Sequence, residues 1–286
     1  MLYIFLSIIS SSLIYVLFKY ASHVNVKIFP AIVINYLTAA IIGFTISNHQ
    51  FNIDNIINAN WFYVSIVLGI LFIIMFYIIG LSTNLAGITI TSLSTKMSVV
   101  FPILFSIVYY KESINAYKIS GMILAVSAII LASIKGENAH LKTGKLHYPL
   151  LLFIGMGIVD SLVKFNQEEY LKNAGIVESS TVCFAAAFIV GSFFYFWKSR
   201  TNLFKISLNT IPIGIALGIT NFGSLYFLIA ALNSKFAESS IIFALNNTIV
   251  IAFTILVGKF IFKEKLILIN WIGIGISIIA IVSLSI

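Results

Sequence analysis

Two stretches decide how this chain is read: YYKESINAYKISGMILAVSAIILAS at 109–133 and IFKEKLILINWIGIGISIIAIVSLS at 261–285. Each sets a Lys-Glu pair before an apolar run, Lys111-Glu112 in the first and Lys263-Glu264 in the second. At a constant offset of 152, Gly121, Ala128, Ile129 and Ser133 then match Gly273, Ala280, Ile281 and Ser285. Single Ala or Ile matches carry little weight in apolar sequence, but a charged pair and a glycine at fixed spacing are hard to obtain by chance. With one residue of slippage the match extends upstream, where Phe76, Leu81 and Ala86 align with Phe227, Leu232 and Ala237. The pattern is that of an internal duplication.

The remainder of the 286 residues is more apolar than a soluble domain permits. Sixty per cent are hydrophobic, 9% are charged, and the mean hydropathy is +1.08; soluble domains carry about a quarter charged residues. Runs of roughly 17 to 23 apolar residues read as membrane spans. They predict helices at about 2–18, 29–46, 61–81, 87–110, 118–134, 149–167, 181–197, 211–232, 239–258 and 266–285. The first is expected to be retained rather than cleaved as a signal peptide, because it lacks a basic leader and a small-residue cleavage site. Trp61, Tyr109, Tyr110, Tyr148 and Trp197 stand near span edges, as rings at the headgroup level would.

The expected fold is therefore an all-α integral membrane protein of ten transmembrane helices. Residues 1–134 hold one set of five, 135–148 form a connector, and 149–286 hold the second set. An odd number of spans per half forces the second half to enter the bilayer in the opposite sense, giving two inverted five-helix repeats. Inverted repeats with a site between them at mid-membrane are a recurring design of secondary transporters.

Charge and chemistry exclude several other functions. The net charge of +8 does not point to nucleic acid: nearly all the basic residues lie between apolar runs, Arg200 is the one arginine, and the pattern suits a membrane surface. One cysteine, Cys183, permits no intrachain disulfide, and His23, His49, His140 and His147 lie in connectors without metal-ligand spacing. No nucleophile–base pairing and no Gly-rich phosphate loop is present, so no enzyme, cofactor, metal site or ATP-driven pump is expected. Connectors and helix ends after spans 1, 3, 5, 7 and 9 carry eleven Lys or Arg, against four in the other set. The positive-inside rule then places both termini outside the cytoplasm.

Three ionisable residues fall inside predicted spans: Lys96, Asp160 and Lys164. Each costs at least ~2.5–3.5 kcal/mol at a lipid-facing helix centre, so each must face protein or water. Lys96 lies nine residues into the fourth span, roughly 14 Å at helical rise and thus near mid-membrane. Thr89 and Ser92, at i−7 and i−4, continue a polar stripe on the same face. Lys96 is the leading candidate to hold an anionic group of a substrate, against the plainer use of snorkelling or fixing helix packing.

Asp160 and Lys164 stand at i and i+4 in the acid-before-base order that helices favour, and are expected to pair. Gln167 extends their face. Asn246 and Asn247 in the ninth span follow Ser239 and Ser240 by seven residues, Thr248 aligns with Lys96, and Asn221 with Ser224 completes a neutral wall from the eighth span. Interhelical hydrogen bonds worth ~0.6 kcal/mol each would explain these neutral residues equally well. Gly121, Ala125, Ala128 and Ala132 in the fifth span, with Gly273, Gly275 and Ser277 in the tenth, read as surfaces of close helix approach.

Ten spans, two five-helix repeats and a repeated Lys-Glu before a glycine-bearing helix resemble the EamA-type carriers of the drug/metabolite transporter superfamily. The resemblance covers essentially the whole chain, with Lys111-Glu112 and Lys263-Glu264 at the family's acidic position and Pro102 at its fourth-helix proline. Thr254 stands where the second repeat would carry its proline. The resemblance implies a secondary transporter of the cell membrane that works by alternating access through a central cavity. Its partners would be lipid, a small polar or charged organic metabolite, amino-acid- or organic-acid-like, and a coupling proton or ion, with the chain a monomer or weak homo-oligomer. It also implies termini inside, against the charge count. The first-helix glutamate of the half-size multidrug exporters has no counterpart here, where Ser10, Ser11, Ser12 and Tyr15 precede Lys19. Different in class are a channel or lipid-handling membrane protein and a membrane subunit without transport of its own.

Overall fold

A computed structural model describes residues 2–47, 53–134, 147–171, 175–198, 207–234 and 239–284, and among these every regular element is a helix. In chain order they are α1 Leu2–His23, α2 Ile28–Ile46, α3 Ile53–Ile57, α4 Phe62–Leu85, α5 Ile88–Met97, α6 Val100–Tyr109, α7 Ala116–Ser133, α8 His147–Tyr170, α9 Ile176–Lys198, α10 Thr210–Asn233, α11 Ser239–Phe260 and α12 Leu268–Leu284. A helix thus stands at each of the ten predicted places, the fourth being split into α5 and α6. Seven spans are long and apolar enough to cross a membrane: α1, α2, α4, α5 with α6, α8, α9 and α10. The apolar parts of α7, α11 and α12, Ala116–Ala132, Leu245–Phe260 and Leu268–Leu284, are shorter.

Several boundaries differ from the sequence reading, each for a local reason. α1 runs on past 18 to His23 because Lys19 does not stop it: the ammonium snorkels to the Thr83 carbonyl at 3.3 Å and to Glu264 at 3.7 Å. α8 likewise continues through Gln167 to Tyr170, and α9 begins at Ile176, straight after Gly175 in the left-handed region at φ +87°. The connector 47–60 holds the short α3. Trp61, read as an interfacial ring, is buried, with its indole nitrogen close to Gly175. Lys135, Lys142, Lys145, His49, His140, Arg200 and Ser285 lie outside the described residues.

The repeated Lys-Glu pair builds the same turn twice. Lys111 and Lys263 take φ of 55° and 53°, a left-handed conformation that costs a non-glycine residue ~1–2 kcal/mol. In each turn the glutamate N–H donates back into the preceding helix, Glu112 to the Ser106 carbonyl at 3.3 Å and Glu264 to the Gly258 carbonyl at 2.9 Å. These turns redirect the chain from α6 into α7 and from α11 into α12.

α7 and α12 then pack along one another more extensively than any other pair. Small residues allow it. A Cβ on Gly273 would stand 2.6 Å from the Ala132 nitrogen, and one on Gly121 2.7 Å from the Leu284 side chain. Elsewhere α1 lies against α10 and α11, α8 against α4 and the α5–α6 pair, α2 against α9 and α10, and α4 against α9.

The outer face carries large apolar side chains, among them Tyr63, Val108, Phe193, Trp197, Phe260 and Leu268, while many hydroxyls are buried among the apolar residues of the interior. Ser7, Ser12, Ser65, Thr91, Ser92, Ser94, Thr95 and Ser98 are all buried. Large apolar side chains turned outward, with hydroxyls kept inside, are what a bilayer solvent selects. The chain is a multi-pass helical membrane protein.

Candidate functional site

The α ladder of the fourth span is interrupted because of what its sequence places there. Residues 87–97, GITITSLSTKM, are rich in hydroxyls that bond back to the helix's own carbonyls: Thr91 to Gly87 at 2.7 Å, Thr95 to Ser92 at 2.9 Å, Ser98 to Thr95 at 2.6 Å. Such bonds weaken a regular ladder. Pro102 then has no N–H for the Ser98 carbonyl four residues back, and its ring crowds that carbonyl. Phe101 donates to Ser98 instead, at 2.9 Å, and the α ladder gives way to a tighter 3₁₀-like turn at Ser98 and Val99, whose backbone stays in the right-handed helical region (φ −55° and −53°, ψ −16° and −20°). Lys96 stands one residue before the end of α5.

Three neighbours converge on this break. From α1, the Tyr15 hydroxyl hydrogen-bonds Thr95 Oγ1. From α8, Asp160 Oδ2 accepts from Ser98 Oγ at 2.7 Å. From α11, Thr254 Oγ1 shares a hydrogen bond with Ser92 Oγ at 2.7 Å. Lys96 and Asp160 are both partly exposed and feel each other's charge, yet they form no contact ion pair. Among the described residues the Lys96 ammonium has no hydrogen-bond or ion-pair partner. A cation near mid-span without an ion-pair partner among the described residues, in the field of a carboxylate that accepts from a neutral hydroxyl, is an arrangement able to receive a charged or zwitterionic solute.

The predicted partnership of Asp160 with Lys164 is not formed. Lys164 pairs instead with Glu112, at 3.4 Å, and Lys118 joins the same carboxylate at 3.6 Å. The reason is solvation: Glu112 and Lys164 retain 42% and 34% of their side-chain exposure, so their pairing avoids most of the desolvation cost that a pair at Asp160 would carry. The left-handed turn at Lys111 brings Glu112 to that position.

The other candidates divide between separate places. Ser92 belongs to the Lys96 cluster. Thr89 belongs to the opposite end of α5, where its N–H meets Glu264 at 3.3 Å and its buried hydroxyl has no partner. Asn246 is buried against α1, accepting from Ser7 Oγ at 3.2 Å, and Ser7 also lies 3.2 Å from the Ser224 carbonyl. Two turns of α11 separate Asn246 from Thr254, so this second polar group stands apart from Lys96. Asn221 is buried with its Nδ2 unsatisfied, and Asn247 is buried beside Asn246. An apolar cleft of about 340 Å³ between α2 and α9, lined by Ala40, Ile41, Phe44, Thr181, Val182 and Ala185, includes none of the candidates.

Tyr15, Thr95 and Ser98 were missed as site residues. One signal for Tyr15 is present in the sequence: Tyr15-Val16-Leu17-Phe18-Lys19 and Asp160-Ser161-Leu162-Val163-Lys164 share Leu and Lys at an offset of 145. That register sets Tyr15 in line with Asp160.

Comparison with known proteins adds a whole-chain relative but no activity. A protein of Haemophilus influenzae (strain ATCC 51907 / DSM 11121 / KW20 / Rd), described as an uncharacterized protein, is 28% identical over 283 residues. The match covers 96% of this chain and 94% of that protein. No family model matches the chain. The likeness therefore extends over both halves and leaves function to the site.

Proposed function

We propose that this protein is a secondary transporter of the drug/metabolite type, carrying a small polar or charged organic solute by alternating access at the α5–α6 break. The observation that carries the reading is Lys96: an ammonium at the interrupted ladder of its span, without a contact partner among the described residues and within the electrostatic reach of Asp160. Broken spans with charged groups at mid-membrane are how secondary transporters build substrate sites.

The packing supports two inverted repeats. Exchanging α1 with α8, α2 with α9, α4 with α10, α5–α6 with α11 and α7 with α12 maps the principal helix contacts onto one another: α1–α10 onto α8–α4, α2–α10 onto α9–α4, and α1–α11 onto α8–α5 and α8–α6. The α2–α9, α5–α11 and α7–α12 contacts map onto themselves. The twin Lys-Glu turns obey the same exchange. A carrier of this design binds with Lys96 on an anionic group and with Asp160, Tyr15 and Ser98 on the remainder of the solute.

The test is counterflow. Purified protein in liposomes, screened against amino acids, organic acids, sugars and nucleosides, should accumulate one labelled solute against the same unlabelled solute trapped inside, with saturation. Flux that neither saturates nor exchanges would identify a channel, and absence of flux for every solute would leave a non-transporting subunit.

A further inference from the structure

The two repeat-related glutamates are held very differently. Glu264 is nearly enclosed. Its carboxylate accepts from the Ile88 N–H at 2.6 Å and the Thr89 N–H at 3.3 Å, capping the first turn of α5, and pairs with Lys19 at 3.7 Å. Glycine at 87 and 258 makes room for it, since a Cβ at either position would come within 2.8 Å of the carboxylate. Lys19 and Glu264 retain 19% and 12% of their side-chain exposure. At the far end of the same span, Glu112 pairs with Lys164 and Lys118 in a more open setting, at 42% and 34% for the Glu112–Lys164 pair.

Lys19 and Lys164 occupy the same register of α1 and α8, so these are two versions of one contact, each tying a helix of one half to a turn of the other. The span from Ile88 to Tyr109 holds them apart by 22 residues, roughly 30 Å at helical rise. One contact lies at each end of the Lys96 site.

We propose that Lys19–Glu264 and Lys164–Glu112 are the two gates of the carrier, and that the structure is the state shut at the Glu264 end. The inference rests on the transport reading, because a gate requires a path. Opening at the Glu264 end means withdrawing the carboxylate from the α5 N-terminus and from Lys19, which frees α5 to tilt about the Ser98–Val99 break. The more exposed Glu112 contact is the one that yields first at the other end, and its opening gives the solute its entrance.

A cysteine reporter tests this without any substrate. With Cys183→Ser as background, Ser92→Cys places a thiol one turn from Lys96 on the Glu264 side. Membrane-impermeant thiol reagents are then applied separately to each face of sealed vesicles. With both contacts intact, labelling should be slow from the Glu264 end. Glu264→Gln should speed it from that end at least tenfold, whereas Glu112→Gln should leave that rate unchanged. Lys19→Gln, which retains the cap on α5, should give a smaller increase and covers the case in which Glu264→Gln does not fold. An unchanged rate from the Glu264 end in every folded variant, or an equal rise with Glu112→Gln, overturns the gate assignment. Failure of all solutes in counterflow with this labelling pattern intact would count against the carrier reading alone.

Discussion

The fourth span and α11, aligned in sequence by the 152-residue offset of the Lys-Glu pairs, differ in one decisive respect. α5 and α6 are interrupted at Ser98 and Val99, while α11 runs unbroken from Ser239 to Phe260. Pro102 stands in the first, and Thr254, 152 residues on, in the second. Thr254 keeps its N–H for the ladder and turns its hydroxyl to the Val250 and Ile251 carbonyls at 2.9 Å each. Lys96 likewise corresponds to Thr248. On the proposed repeat, one half supplies an interrupted helix with a cation, and the other a continuous helix whose Thr254 shares a hydrogen bond with Ser92.

The largest expected effect comes from removing the feature that one half has and the other lacks. Lys96→Gln should abolish saturable uptake, by at least a hundredfold in rate at low solute, with the melting temperature nearly unchanged, because no contact partner is lost. Lys96→Arg should also be impaired, since a planar fork does not replace a compact ammonium. Normal rate and affinity in Lys96→Gln would make the lysine structural. Next in size, exchanging the helix-break residues should move stability in opposite directions. Thr254→Pro should cost about 3 kcal/mol by breaking α11, read as a lower melting temperature in detergent. Pro102→Ala should raise that temperature and slow transport by letting α5 run into α6. A stabilised Pro102→Ala protein with full transport would show that the break itself is dispensable.

How much of this was legible follows from which interactions are local. Helix positions came through because apolar runs and bilayer thickness are properties of contiguous sequence, and the Lys-Glu repeat came through because it is chemically rare in apolar surroundings. Pro102 was visible as a residue, but its consequence, the break beside Lys96, depends on hydroxyls bonding back along one turn. Asp160 and Lys164 were misjudged as a pair because i,i+4 spacing gives proximity and is silent about competitors. The competing partner, Glu112, is 52 residues away in sequence and arrives only through the left-handed turn at Lys111. Tyr15 was hidden among apolar residues and became readable only when α1 was aligned with α8.

That misjudgement gives a smaller and sharper test. If Asp160 and Lys164 do not interact, the double change Asp160→Asn with Lys164→Gln should have the summed effect of the two single changes within about 0.5 kcal/mol. A rescue of Asp160→Asn by Lys164→Gln would restore the local pair. The Glu112→Gln with Lys164→Gln cycle should instead show a coupling of about 0.2–1 kcal/mol, as expected of a partly exposed ion pair.

The smallest effect tests whether the wall supplied by α11 is energetically joined to the broken span. Ser92 and Thr254 share a hydrogen bond at 2.7 Å between buried oxygens, and each also bonds a carbonyl of its own helix. Either hydroxyl alone can therefore fall back on its own backbone when the other is removed, which limits the loss. A double-mutant cycle of Ser92→Ala and Thr254→Ala should give a coupling of ~0.6 kcal/mol, the average for hydrogen bonds between membrane helices. The same changes should alter the solute affinity far less than Lys96→Gln, because the pair positions α5 and leaves the ammonium in place. A coupling well above that range would mean that the two hydroxyls are trapped without backbone alternatives, and the continuous helix would then be holding the broken one more firmly than its own geometry requires.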